Sequence, residues 1–331
     1  MLSDDELAPK ATFVCGHRKT GTTLLVALLD SHPELMTIPT DSGFFYAYYP
    51  LYERGNYTLD EKKNRIKERS ISDFGSFLAT IEGNTKLNFS TWRMEQEFNR
   101  LTENATGDTK ELLLAMVMTY RHISPLLPDH HRRWVEKTTS TEIYASRIKQ
   151  WFPKAKFVHI VRDPRDNYGS LKSGWENRYK HFNDQIERLL QSHIERGLLG
   201  MALARWNAER FGDDYLVLRF EDLAANPERE MHRVADFLEI SFDEVLIKPT
   251  IWGLPWAGNN FEGRKFANVS NVNTNRWRER ITSHEAQVIE FYFEELMDYF
   301  GYKAAYPKSE QLDAVTIHYE WHNYAQIYST K

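Results

Sequence analysis

A single lysine between two glycines is the feature of this sequence with the clearest chemistry. The stretch from Phe13 to Leu35 reads FVCGHRKTGTTLLVALLDSHPEL and places Lys19 between Gly16 and Gly21. An apolar strand, a glycine-bounded loop and an apolar helix in that order direct backbone N–H groups and the positive end of the helix dipole at an anion. The spacing therefore predicts a phosphate-binding loop. The alternative is an ordinary strand, turn and helix with incidental glycines.

The position of the lysine indicates which phosphate chemistry to expect. The loop has the G-x-x-x-x-G spacing, but Thr22 follows Gly21, where the nucleoside-triphosphate loop GxxxxGK[ST] carries its lysine. The usual lysine contact to a transferable γ-phosphate is therefore missing. An ATP- and Mg²⁺-dependent small-molecule kinase of the P-loop class is retained as the alternative function, although no strand-end aspartate of the Walker B type is evident.

A second segment adds another anion contact. The run KFVHIVRDPRDNYGSLKSGW, from Lys156 to Trp175, contains an apolar strand at 157–161. The chain must turn after this strand, at Pro164. Arg162 at the strand end and Ser170, about two helical turns later, can face one anion at the carboxyl edge of a parallel sheet. By itself, Arg162 would more simply be interpreted as a surface salt-bridge partner.

These segments together resemble the sulfotransferases that use 3′-phosphoadenosine 5′-phosphosulfate, in motif style especially the bacterial, glycan and protein-tyrosine members. KTGTT is followed by HPEL, by EKTT at 136–139, by VRDPRDNYGSLKS and by LRFEDLAANP at 218–227, in the family's order. The resemblance covers most of the chain. It implies an α/β fold, with a central parallel sheet flanked by helices and an inserted helical cap, and no metal requirement.

The resemblance also implies roles for individual residues. Lys19 would neutralise the oxygen that leaves with the nucleotide, as catalysis of group transfer rests mainly on positioning and charge stabilisation. Phe220 stands where relatives place a residue near the purine, and Arg162 and Ser170 would hold the 3′-phosphate. The residues expected around the 5′-phosphosulfate are His17, Arg18, Lys19, Thr20, Gly21, Thr22 and Thr23. Those expected in a loop at 259–277 that closes over the nucleotide are Arg264, Lys265, Ser270 and Arg276.

An acceptor hydroxyl also needs a group that accepts its proton. Asp41 is our first candidate, because family members carry a glutamate shortly after the HP motif and the sequence DSGFF occupies that position. Glu136 is the second candidate, followed by His17 and His159. Lys137 matches a lysine that relatives place on the acceptor side of the site.

Each of these residues also has a purely structural interpretation. Asp41 would cap a turn with Ser42 and Gly43, because the Asp-Ser-Gly sequence is common in turns. Lys137 would form a salt bridge with the neighbouring Glu136. His159, inside an apolar strand, is better explained as a core histidine than as a base.

Aromatic side chains follow the candidate base directly. The run FFYAYYPLY occupies 44–52 and is either a wall that binds a sugar face, a planar acceptor or a lipid, or part of the hydrophobic core. The sequence favours neither. It leaves the acceptor open among carbohydrates, lipids and small molecules that carry a hydroxyl or an amine, and it leaves the oligomeric state open.

Composition sets the remaining limits. With 331 residues and no linker, we expect one domain over 1–331, with a helical insertion at about 59–130 and an aromatic tail at about 307–331. The single cysteine, Cys15, precludes an intrachain disulfide, and neither the N-terminal MLSDDELAPK nor any apolar run indicates export or a membrane span. We therefore expect a cytoplasmic protein. A net charge of −5 argues against nucleic acid as a partner.

Overall fold

The computed structural model describes residues 11–126, 132–178, 186–259 and 263–328, so the N-terminal MLSDDELAPK lies outside the described residues. The chain divides into two compact units. The first consists of residues 1–161, 203–258 and 265–270, and the second of residues 162–202, 259–264 and 271–331.

A five-stranded sheet forms the centre of the first unit. All its pairings are parallel, and the strand order is β2-β3-β1-β4-β5. The strands are β1 (Ala11–Cys15), β2 (Leu35–Thr37), β3 (Arg133–Lys137), β4 (Lys156–Val161) and β5 (Tyr215–Arg219). The predicted fold class, a parallel sheet flanked by helices, is confirmed. Strands β2 and β3 lie on one side of β1 within the sheet, and β4 and β5 lie on the other. The carboxyl end of β1 is therefore a topological switch point, which is where open α/β sheets bind ligands.

Both faces of this sheet are covered, which explains why its strands are continuous apolar runs rather than alternating ones. Side chains alternate between the faces along each strand. Phe13 and Trp134 belong to one buried cluster, and their successors Val14 and Val135 belong to the other. The rings of Phe13 and Trp134 meet edge to face at 5.4 Å between centroids.

Helices account for most of the remaining chain. The α-helices are α1 (Thr22–Leu29), α2 (Leu51–Arg54), α3 (Leu59–Ile66), α4 (Asp73–Leu78), α5 (Thr91–Leu101), α6 (Thr109–Ile123), α7 (Ala145–Trp151), α8 (Pro164–Arg178), α9 (Ile186–Phe211), α10 (Phe220–Ala225), α11 (Pro227–Leu238), α12 (Trp277–Arg280), α13 (Ser283–Tyr299) and α14 (Lys308–Tyr328). Two π-helical segments, Phe44–Tyr48 and Lys67–Ser72, lie among them. A short hairpin pairs β6 (Thr250–Ile251) with β7 (Leu254–Pro255). Within the described part of the chain, no helix is both long enough and apolar enough to cross a bilayer.

Several local features follow directly from the sequence. Helices α3 to α6 lie between residues 59 and 130, Pro227 is the first residue of α11, and Thr282 with Glu285 forms the capping box of α13. His159 is a core residue whose Nδ1 lies 2.7 Å from the hydroxyl oxygen of Tyr215, and burial lowers its pKa to about 3. Cys15 is a buried packing residue.

The second unit has its own hydrophobic core and a buried ionic network. Tyr168, Trp277 and Phe293 are among its buried side chains. Arg165 pairs with Asp163 at 2.6 Å and with Glu290 at 2.5 Å. These carboxylates compensate the buried guanidinium, which would otherwise be costly to remove from water.

Candidate functional site

The loop between β1 and α1 has the conformation of an anion cradle. Its backbone φ is +141° at Gly16, +66° at Lys19 and +115° at Gly21. Positive φ is easy for glycine but costs a residue with a β-carbon of order 1 kcal/mol or more, so Lys19 is held in this conformation by its surroundings. Such left-handed residues turn successive N–H groups to the same side of the chain, which is the geometry of an anion nest.

The two glycines cannot be replaced without moving their neighbours. A β-carbon on Gly16 would lie 2.7 Å from the carbonyl oxygen of Ile160 in β4. A β-carbon on Gly21 would lie 2.6 Å from Cδ2 of Phe220, the first residue of α10. The loop is therefore packed directly against β4 and α10. Its two glycines are needed because a β-carbon would collide with these neighbours and because their φ angles are positive.

The start of α1 completes the cradle. Gly21 is the N-cap residue, and it has no side chain that could accept a hydrogen bond from the first turn of the helix. His17, Thr20 and Thr22 are buried, whereas Arg18, Lys19 and Thr23 are half-buried. The N–H groups of the first turn of α1, which lack intrahelical partners, face the side on which a negative charge would be stabilised.

One carboxylate from outside the loop supports it. Gly16 donates its N–H to Oε2 of Glu142 at 3.0 Å, and Thr20 donates its hydroxyl to the carbonyl oxygen of His17 at 2.8 Å. Sequence reasoning missed Glu142. The signal that could have found it is the polar run TTSTE, at 138–142, directly after the buried strand β3.

Asp41 and Lys137 form an ion pair at the end of β3. The Lys137 Nζ lies 2.8 Å from Oδ2 of Asp41, and the hydroxyl of Thr139 donates to the same oxygen at 2.8 Å. The N–H of Gly43 donates to Oδ1 at 3.0 Å. Asp41 thus caps the turn, as its structural interpretation predicts, and also binds Lys137. Lys137 pairs with Asp41 rather than with the neighbouring Glu136.

The pKa of Asp41 reflects these contacts. Burial opposes its ionisation, but the charge of Lys137 and the hydrogen bonds from Lys137, Thr139 and Gly43 outweigh burial and lower the pKa. The side chain of Lys137 is 4% exposed and that of Asp41 is 24% exposed. Asp41 is therefore an ionised carboxylate, open to solvent on one side, at neutral pH.

Glu136, the second candidate base, lies in a different environment. It is fully buried, and its Oε1 accepts hydrogen bonds from the hydroxyls of Ser42 and Thr138, the latter at 2.6 Å. No described residue donates to its Oε2. Burial raises its pKa to about 7, against the lowering effect of the two hydroxyls. Because it is enclosed, Glu136 does not present its carboxyl to an acceptor arriving from solvent.

The second unit carries the predicted 3′-phosphate residues. Arg162 follows β4 directly, is buried, and donates from Nη2 to the carbonyl oxygen of Asn273 at 2.7 Å. Ser170 lies half-buried in α8. Arg276 contacts Glu279 at 3.2 Å. The structure therefore joins Arg162 to the polypeptide of the predicted closing loop.

The remaining candidate nucleotide ligands are more scattered. Arg264 and Lys265 are exposed, with Lys265 3.7 Å from Glu82, and Ser270 is half-buried. Residues 260–262 of the same loop lie outside the described residues. Phe220 is buried with its ring against Gly21. The roles of these four side chains in nucleotide binding stay predictions.

The described residues include no group of three or more His, Cys, Asp or Glu side chains arranged to hold a metal ion.

Comparisons with known proteins agree with one another. A family model described as "Sulfotransferase family" matches residues 11–244. Protein-tyrosine sulfotransferase A of Caenorhabditis elegans is 22% identical over 246 residues, which cover 71% of this chain and 51% of the relative. Carbohydrate sulfotransferase 1 of Danio rerio is 23% identical over 172 residues, 45% of this chain and 38% of the relative. The chain thus spans about half or less of the length of these two curated relatives.

Two solved structures share the fold. The sulfotransferase domain from the curacin biosynthetic pathway aligns with a TM-score of 0.56 at 15% identity, over 89% of this chain and 98% of that domain. The sulfotransferase domain of the Synechococcus PCC 7002 olefin synthase aligns with a TM-score of 0.53 at 17% identity, over 88% of this chain and 94% of that domain.

Proposed function

The chain belongs to the sulfotransferase family, and we propose that it transfers a sulfuryl group from 3′-phosphoadenosine 5′-phosphosulfate to a hydroxyl or an amine of an acceptor. The observation that carries this proposal is the loop conformation, with Lys19 held at φ +66° between two glycines at the start of α1. This arrangement places a cation in the loop itself rather than behind its second glycine.

The residues of the loop fit a phosphosulfate. Gly16 and Gly21 hold the loop in close contact with Ile160 and Phe220. The N–H groups of Gly21, Thr22 and Thr23, at the start of α1, would hold the 5′-phosphate. Lys19 would neutralise the charge that develops on the departing bridging oxygen. Arg162 and Ser170 are proposed as 3′-phosphate ligands on the strength of the family motif.

The acceptor side is proposed at the ion pair of Asp41 and Lys137. As the acceptor oxygen forms its bond to sulfur, the bond from sulfur to the bridging oxygen breaks and the acceptor proton passes to a carboxylate oxygen of Asp41. The lowered pKa of Asp41 makes it a weak proton acceptor, so the proton would move late, when the acceptor oxygen has already become acidic. Lys137, 2.8 Å from Asp41, would hold that carboxylate in place.

Calorimetric titration with 3′,5′-adenosine bisphosphate, first in EDTA and then in magnesium, tests the donor site. We expect the same affinity in both buffers, and much weaker binding of 5′-AMP, because the 3′-phosphate contributes contacts of its own. Preference for ATP with magnesium would instead support the kinase alternative and remove the basis of the sulfotransferase proposal.

A variant at Arg162 tests the proposed contact with the 3′-phosphate. Arg162→Ala should weaken the bisphosphate by about 10- to 100-fold, the range expected for losing a hydrogen bond to a charged group, and should leave 5′-AMP nearly unchanged. The matched control is Arg278→Ala in the same unit, where the guanidinium is exposed over the ring of Trp277. Equal weakening of both nucleotides by Arg162→Ala would contradict a specific 3′-phosphate role.

A further inference from the structure

The aromatic run after Asp41 presents one ring to solvent, in contrast to its neighbours. Phe44, Phe45, Tyr48 and Tyr49 are each less than 5% exposed and belong to the core, whereas Tyr46 is 57% exposed. Packing in the core, one of the two interpretations of this run in the sequence, is therefore right for these four rings, whereas acceptor binding stays a prediction. Because these rings pack in the core, Tyr46 is the residue of the π-helical segment whose ring is open to an acceptor.

A π-helix determines which ring points outwards. The segment Phe44–Tyr48 is π-helical and begins after Gly43, whose φ is +69° and whose N–H binds Asp41. Single π-turns are rare and occur frequently at functional sites. The chain thus runs from Asp41 through two residues, Ser42 and Gly43, into the turn that carries Tyr46.

A second π-helical segment, Lys67–Ser72, and the end of α3 hold this turn at both ends. Ser70 donates its hydroxyl to the carbonyl oxygen of Ser42 at 2.7 Å, and Arg65 donates from Nε to the carbonyl oxygen of Ala47 at 2.9 Å. Residues 42 and 47 bracket Tyr46 in sequence. The backbone that carries Tyr46 is therefore anchored on both sides, as a preformed binding surface requires.

Tyr46 also lies within electrostatic reach of the candidate base. Partial burial and then the charge of Asp41 raise the pKa of Tyr46 to about 12, with the charge of Arg69 acting in the opposite direction. Arg69 itself pairs with Asp73 at 3.2 Å, and its side chain is 40% exposed. Asp41, Tyr46 and Arg69 therefore share one partly exposed surface of the first unit.

We propose that Tyr46 is the surface on which the acceptor stacks, and that the acceptor is a compound whose accepting hydroxyl is carried by a ring, either a phenol or a sugar. This inference rests on the proposed sulfuryl transfer. An exposed tyrosine ring offers a flat apolar face, which suits the face of an aromatic ring or of a pyranose and offers little to a linear chain. Asp41, next to this face, would then receive the proton of a hydroxyl on the edge of the stacked ring.

The test compares Tyr46→Ala and Tyr46→Phe with the native chain. Tyr319→Ala is the matched control, because Tyr319 is a tyrosine of similar exposure, 62%, that belongs to the second unit. The probes are naphthol, methyl galactoside and octanol. Their binding is measured by saturation-transfer NMR titration in the presence of 3′,5′-adenosine bisphosphate, and their sulfation is measured separately with the sulfuryl donor. Thermal unfolding of each variant confirms that it is folded.

We expect Tyr46→Ala to weaken binding of a ring probe by about three- to tenfold, the range measured for aromatic pairs, and to raise its KM for transfer. Tyr46→Phe, which keeps the ring, and Tyr319→Ala should bind like the native chain, and octanol should be unaffected. Loss confined to naphthol assigns a phenol acceptor, and loss confined to methyl galactoside assigns a sugar.

Two results would overturn the inference: unchanged binding of both ring probes by Tyr46→Ala, or no binding of either ring probe to the native chain. Failure of the proposed function is a separate result. It would appear as absence of bisphosphate binding in the native chain, while binding of a ring probe that depends on Tyr46 would still support a ring site.

Discussion

Two carboxylates near the end of β3 differ in their pKa because of their surroundings. Asp41 faces the charge of Lys137 and accepts several hydrogen bonds, so its pKa is lowered. Glu136 is fully buried, and this burial raises its pKa despite the hydrogen bonds that it accepts from the hydroxyls of Ser42 and Thr138. In many active sites, one carboxylate of such a pair acts as an acid and the other as an ionised base or nucleophile. Here Asp41 stays ionised, whereas Glu136 gains or loses a proton near neutral pH.

Replacing Asp41 tests the assignment of the base. Asp41→Asn should leave the affinity for 3′,5′-adenosine bisphosphate within about twofold and reduce transfer by about 100-fold or more, because an amide does not accept the acceptor's proton. Binding is measured by calorimetry and transfer by product formation. Since Lys137 would be left buried without its partner, the double variant Asp41→Asn/Lys137→Met serves as the folded control. Near-normal transfer by a folded variant would move the role to another residue.

Glu136 should make stability depend on pH. Its pKa in the folded chain, about 7, lies above the ordinary value of 4.5, so the folded state binds the proton more tightly than the unfolded state. Its contribution therefore falls as pH rises from about 4.5 to about 7, by about 3 kcal/mol in the free energy of unfolding. Glu136→Gln should lack this fall.

Urea unfolding of the native chain and of Glu136→Gln at about pH 5 and about pH 8 measures the effect of Glu136. The stability difference between the two proteins should shift in favour of the variant at the higher pH. If the difference stays the same at both pH values, Glu136 has an ordinary pKa.

At the scale of elements, strand β1, the loop that follows it and helix α1 form one continuous anion-binding motif. Gly21 is the N-cap of α1 and lies against Phe220 of α10, so one residue links the loop, a helix and a neighbouring element. The cradle depends on this packing as much as on the glycine backbone, because the left-handed conformation is stable only when its surroundings hold it.

Gly21→Ala should damage the cradle. Its β-carbon would lie 2.6 Å from the Phe220 ring at a φ of +115°, so we expect at least about a tenfold loss of bisphosphate affinity, together with a lower Tm. Gly212→Ala is the control, because Gly212 also has positive φ, +51°, but a β-carbon there would meet no atom within 4 Å. Calorimetry and thermal unfolding compare the two variants. Equal effects on affinity would show that the contact with Phe220 is unimportant.

The sequence predicted the elements better than the orientation of side chains. The loop and strands were readable because glycine spacing and apolar runs are local signals. The direction of Tyr46 was not, because a π-helical turn follows neither the period of a strand nor that of an α-helix. The ion pair between Asp41 and Lys137 was also missed, since its partners lie 96 residues apart in sequence and meet only when the strands assemble.

At the scale of the whole molecule, each compact unit has its own buried core. We propose that both belong to a single sulfotransferase domain, because the family match, residues 11–244, includes parts of each. In the second unit, Glu290 is a central acceptor: its carboxylate binds Arg165 at 2.5 Å and the N–H groups of Ala305 and Tyr306 at 2.9 and 3.0 Å.

Removing Glu290 should destabilise the second unit. Glu290→Ala removes one of the two described carboxylate partners of Arg165 and frees the backbone donors of Ala305 and Tyr306, so we expect a loss of about 3 kcal/mol in the free energy of unfolding. Hydrogen exchange followed by mass spectrometry should show faster exchange in α8 and α13. Glu279→Ala, which alters an exposed carboxylate of the same unit, is the control. Unchanged protection in α8 and α13 would contradict the role of Glu290.

The burial of Cys15 makes this chain well suited to site-directed labelling. It is the single cysteine of the sequence, it has no exposed surface, and burial raises the pKa of its thiol, so little reactive thiolate is available to a maleimide. A cysteine introduced at an exposed position such as Trp92 or Tyr319 would therefore be labelled with little competing reaction at Cys15. Fluorescent or spin probes can be attached without first removing a native thiol.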